Sequence, residues 1–122
     1  MDRQDVPQAS ENQPEYAWLK TYPDAIDWHE AIPVKPLYTL IDDAVASHPE
    51  RACTSFLGRT LTYKQVGDKI NEAAAALQKL GVEKGMRVGL FLPNAPTYVV
   101  YYFAILKVGG IVVNFNPLYT IE

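Results

Sequence analysis

A chain of 122 residues with 48% apolar and 11% aromatic side chains can build one compact core, which excludes a disordered or fibrous protein. Its net charge of −3 comes without a basic stripe: residues 1–30 hold seven acids against two bases and residues 31–122 seven against nine, which argues against a nucleic-acid partner. Cys53 is the only cysteine, so no intrachain disulfide can form and a reducing cytoplasm is the expected compartment.

The start, residues 1–13, is polar and acidic with no apolar segment, so it reads as neither a secretory signal nor an arginine-rich transit peptide. Residues 1–36 carry Pro7, Pro14, Pro23, Pro33 and Pro36 and are expected to form an arm rather than a core element. Tyr16, Trp18, Tyr22 and Trp28 are too large and frequent for a free tail and are expected to pack, either on the arm's own domain or in a subunit interface.

Residues 37–122 are the expected α/β domain. Leu37, Leu40, Ile41, Ala44 and Val45 recur at helical spacing until Pro49. Cys53–Leu57 and Thr60–Tyr63 are two β-prone runs about Gly58-Arg59, with glycine first as a type II′ hairpin turn prefers, and Cys53 reads as a buried strand residue. Thr62 and Gln65 stand at capping-box spacing, and Leu61 is placed to staple onto Val66. Val66, Ile70, Ala73, Ala74 and Leu77 then line one helix face, and Gly81 stands where a left-handed residue would close the helix.

The last third reads strand, helix, strand. Arg87–Leu92 is a β run stopped by Pro93, Asn94 is the expected N-cap, and an apolar helix from about Ala95 to Val108 ends at Gly109-Gly110 before a second β run, Ile111–Phe115. Both strands are apolar on both faces, as in a covered parallel sheet, and the crossover between them is expected to be right-handed. Tyr98–Val113 is the most apolar stretch, but Lys107 and the glycine pair keep it below the ~20 residues a membrane helix needs.

In open α/β sheets ligands collect beyond the carboxyl ends of strands, here Leu92-Pro93-Asn94 and Asn116-Pro117-Leu118, so these two loops are expected to share one rim. Helix capping for Asn94 and a turn for Asn116 are the blander readings, and the favoured ones. The acid pair Asp42-Asp43 diverges on a helix and reads as its solvated side; His29 and His48 read as surface groups. Ser10, Ser47 and Ser55 have no recognisable triad partners, and the chain holds no Walker-type loop, dinucleotide glycine fingerprint or nucleophile elbow. The residues alone therefore assign no catalytic, cofactor-binding or metal position.

Taken in order, WLKTYP (18–23), GRTLTYKQV (58–66), VEKGMRVGLFLPN (82–94) and VGGIVVNFNPLYT (108–120) resemble the start of bacterial long-chain fatty acyl-CoA synthetases of the adenylate-forming family. The resemblance covers about residues 16–122 and departs at Gln65, Val66 and Gly89, where the family more often has Glu, Leu and a larger strand residue. It implies an α/β fold, a partial parallel sheet with a βαβ unit at the start of the large N-terminal domain. It also implies a ligase that joins a fatty acid to ATP with magnesium and passes the acyl group to CoA. The family's phosphate loop, ribose-binding aspartate and catalytic lysine match nothing before Glu122, so the resemblance assigns no catalytic, cofactor-binding or metal residue here.

On that reading the chain is an inactive piece, ending abruptly after a turn, whose longer form uses fatty acid, ATP, magnesium and CoA. Three other readings stay open: an interaction or dimerisation module derived from the fold, a medium-chain or aryl acid-CoA ligase, and, more weakly, an acyl-carrier or lipid-binding protein. The expected location is the cytoplasm, with peripheral attachment to the inner membrane and homodimerisation left open. Alone, the chain is expected to be poorly soluble, since its strands call for covering layers it does not encode.

Overall fold

The computed structural model describes residues 16–27 and 30–118; the expectations for residues 1–13, Trp28 and His29 lie outside these. The chain divides into two units, residues 1–34 and 35–122. In the first, a short 3-10 helix spans Ala17–Thr21, its end held by the Thr21 hydroxyl donating to the Trp18 carbonyl at 2.8 Å. The Tyr16 and Trp18 rings stack on each other with centroids 4.5 Å apart.

The second unit contains α1 (Thr39–Ser47), a hairpin of β1 (Ala52–Phe56) and β2 (Arg59–Thr62), α2 (Tyr63–Lys79), β3 (Arg87–Leu90), α3 (Pro96–Lys107) and β4 (Ile111–Asn114). Its core lies between α2 and α3: Val66 and Ile70 of α2 and Ala104 and Ile105 of α3 are wholly buried, and Ile41, Ala73, Leu77, Leu90 and Val100 complete the cluster. Where α1 crosses α2, a Cβ on Gly67 would stand 2.8 Å from Val45 Cγ2, so that glycine sets how closely the two helices approach.

Helix α2 begins as its sequence specifies. The Gln65 N–H donates to Thr62 Oγ1 at 3.2 Å and the Thr62 N–H to Gln65 Oε1 at 3.0 Å, a reciprocal capping box. It ends in a Schellman motif about Gly81, whose φ of +86° only glycine adopts cheaply: Val82 N–H donates to the Leu77 carbonyl and Gly81 N–H to that of Gln78. Gly109 and Gly110 repeat the pattern at the end of α3, donating to Leu106 and Ile105.

Strands β3 and β4 pair in parallel, Arg87 opposite Ile111 through Leu90 opposite Asn114, with α3 as the connection. The fold is therefore α/β with the expected βαβ unit. Both strands are shorter than the sequence suggests. A last ladder bond from Phe115 N–H to the Leu90 carbonyl, 2.9 Å, closes the pair, and beyond it Pro93 and Pro117 have no N–H to continue the ladder.

Three local expectations are corrected. The hairpin turns at Leu57-Gly58, not Gly58-Arg59; Phe56 faces Arg59, and φ is +48° at Leu57 and +75° at Gly58, the signs of a type I′ turn rather than II′. That turn twists with the strands, and the pairing it fixes leaves Cys53 as the extra residue of a β-bulge, half-buried rather than fully enclosed. Helix α3 is capped by Ala95, not Asn94, and without a side-chain bond. Pro96 at the first helical position forces its predecessor into extended backbone (φ −138°, ψ 163°), which makes Ala95 the boundary residue.

Candidate functional site

The parallel strand pair brings its two carboxyl ends together, and beyond them lies an open recess of about 530 Å³. Leu92, Pro93 and Asn94 line it from β3, and Asn116, Pro117 and Leu118 from β4, so the two loops do share one rim. Tyr98, one turn into α3, and Asn114, the last residue of β4, join them: the Tyr98 hydroxyl donates to Asn114 Oδ1 at 2.8 Å and ties the helix start to the strand end. Asn116 Oδ1 accepts from the Leu118 N–H at 2.9 Å, an Asx turn, which is the turn role the sequence favoured.

Sequence reasoning named Asn94 and Asn116 but missed Tyr98 and Asn114. The signal was present: a helix that follows a strand points its first turn at the strand ends, and Asn114 is the one polar residue in the apolar run Ile111–Phe115.

The lining has a definite chemical character. Among the described residues, none that lines the recess is Asp, Glu, His, Cys, Lys or Arg; its polar side chains are the Tyr98 hydroxyl and the amides of Asn94, Asn114 and Asn116.

The other residues singled out in the sequence lie apart from the rim. Asp42 and Asp43 diverge, Asp42 accepting from Lys107 Nζ at 2.7 Å and Asp43 from Lys35 Nζ at 3.2 Å. His48 closes the end of α1 and is exposed, as expected of a surface group. Ser47 ends α1 and Ser55 lies in β1. Burial raises the Cys53 thiol pKa above its ordinary value of 9.0, the direction of an inert rather than an activated cysteine. Among the described residues no group of three or more His, Cys, Asp or Glu is placed to hold a metal ion, and no helix is long and apolar enough to cross a membrane.

Residues 41–122, which hold every residue of the buried core and the rim, match the family model described as AMP-binding enzyme. The chain belongs to the AMP-binding enzyme family. Among its relatives, a long-chain-fatty-acid–CoA ligase of Bacillus subtilis is 41% identical over 103 residues, covering 84% of this chain and 18% of the relative. A probable 4-coumarate–CoA ligase of Dictyostelium discoideum is 39% identical over 106 residues, 83% of this chain and 18% of the relative. Among solved structures, the anthranilate CoA ligase AuaEII in complex with anthranoyl-AMP superposes with a TM-score of 0.68 at 27% identity, over 72% of this chain and 17% of that one. The chain thus has the adenylate-forming fold, and it spans under one fifth of the length of these three proteins.

Proposed function

We propose that this chain is the opening portion of a ligase that activates a long-chain fatty acid with ATP, as an acyl adenylate, and transfers the acyl group to CoA. The observation that carries the reading is the 41% identity to the Bacillus subtilis long-chain-fatty-acid–CoA ligase across 84% of the chain. The rim supports a supplementary part in that work. It lies where α/β sheets bind ligands, yet among the described residues its lining offers no carboxylate for magnesium and no cation for a nucleotide triphosphate. The reacting groups therefore belong to other parts of such an enzyme, and the 122 residues alone are inactive. The working location is the cytoplasm.

A second reading, an aryl acid–CoA ligase, is favoured by the 39% identity to the Dictyostelium relative named for 4-coumarate. Thioester formation by the product of the reading frame that contains these residues separates the two. Preference for palmitate over 4-coumarate, by kcat/KM, is the expected result; the reverse order would replace the first reading by the second.

A further inference from the structure

Gly89 is a glycine that its backbone does not require. Its φ is not among the positive values found at Gly58, Gly81, Gly85 and Gly109, and it sits mid-strand, paired with Val113, where a glycine weakens a sheet. The reason for it is spatial. A Cβ at position 89 would stand 3.0 Å from Phe115 Cε2 and 3.4 Å from Cδ2, because the Phe115 ring leans back across β3 into the space a side chain would fill. Phe115 lies two residues past Val113 and on the same sheet face, so the contact is the diagonal one that aromatic rings reach, an aromatic side chain covering a strand glycine.

We propose that Gly89 is a positioning residue: by leaving room for the Phe115 ring on the outer sheet face, it seats a side chain that itself lines the recess, next to the turn at Asn116–Leu118. The backbone of Phe115 is held by its 2.9 Å bond to the carbonyl of Leu90, itself buried, so a side chain at position 89 displaces the ring before it displaces the strand. The residue after Phe115 is Asn116, whose side chain accepts from Leu118 N–H, so the ring's seat and the turn are consecutive along the chain. The inference goes beyond the ligase reading and stands or falls without it, since it concerns the shape of the recess and not its ligand.

The test is a double-mutant cycle in the whole chain, Gly89→Ala, Phe115→Leu and both, followed by urea unfolding and by the chemical shift of the Leu118 amide proton. In the wild type, the Gly89 α-protons are expected to carry an aromatic ring-current shift and a cross-peak to the Phe115 ring. Gly89→Ala is expected to lower the folding equilibrium constant about tenfold by overpacking, and less than about twofold when Phe115→Leu is already present. The Leu118 amide shift is expected to move in the first variant and return toward its wild-type value in the double. An equal penalty in both backgrounds, failure of both Gly89→Ala chains to fold, an unmoved Leu118 amide, or a wild type without the ring-current shift would each overturn the proposal.

Discussion

Lys107, in the last turn of α3, donates from Nζ to Asp42 Oδ1 of α1 at 2.7 Å across a sequence separation of 65 residues, and the same ammonium donates to Asn71 Oδ1 of α2 at 2.8 Å. One cation therefore ties three helices, and its place at a helix C-terminus suits its charge. With side chains 22% and 42% exposed, the pair is screened only in part. Lys107→Met is expected to destabilise the chain by about 1 kcal/mol, read as a lowered urea midpoint at unchanged slope, and to speed amide exchange in α1 more than in α2.

The capping box gives a second test. Thr62→Ala removes the acceptor for Gln65 N–H and the fixed start of α2, and is expected to cost about 1 kcal/mol. Gln65→Ala keeps the Thr62 hydroxyl in place and is expected to cost less; thermal unfolding of the two variants side by side gives the order.

These caps show what the sequence made legible. Side-chain chemistry tied to fixed spacing, as in Thr62 with Gln65, Gly81 closing α2 and Gly109-Gly110 closing α3, could be read from neighbours alone, and so could the parallel pairing of two doubly apolar strands. The misses came where one residue's backbone decides another's role. Pro96 moved the cap of α3 from Asn94 to Ala95, and the strand register moved the hairpin turn onto Leu57, whose positive φ no propensity would suggest. The rim loops were placed correctly because topology fixes where strand ends go. Tyr98 meeting Asn114 depends on a helix start reaching across to another strand, a contact between residues 16 apart in sequence.

Two groups have pKa values raised in the folded chain. The Cys53 thiol is raised above 9.0 by burial, and the Lys64 ammonium is raised above 10.5, chiefly by its hydrogen bond to Asp68 at 2.8 Å. Both shifts are upward, so the folded chain favours the protonated form of each. The stability that Cys53 contributes is then fully present below pH 9.0 and lost as pH rises through the folded value. Lys64 is fully exposed, and its share is expected to be too small to measure. The expected observation is slower alkylation of Cys53 in the native chain than in urea at the same pH, with a gap that narrows above pH 9.0.

The outer face of β3 and β4 presents Phe91, Ile111 and Phe115 at 58%, 46% and 47% exposure, an apolar surface of the kind that soluble chains cover. The isolated chain is expected to self-associate with rising concentration in sedimentation velocity and to bind a hydrophobic dye. Ile111→Lys with Phe91→Lys is expected to reduce both effects while leaving the α2–α3 core, and hence the helical circular dichroism, intact.

The most direct measurement of the proposed function is fatty-acid-dependent release of pyrophosphate from ATP, run in parallel on the purified 122 residues and on the product of the reading frame that contains them. With palmitate, the expected result is release by the longer product and none above background by the 122 residues. Release by the 122 residues alone, or a folded longer product that is silent with every fatty acid offered, would contradict it.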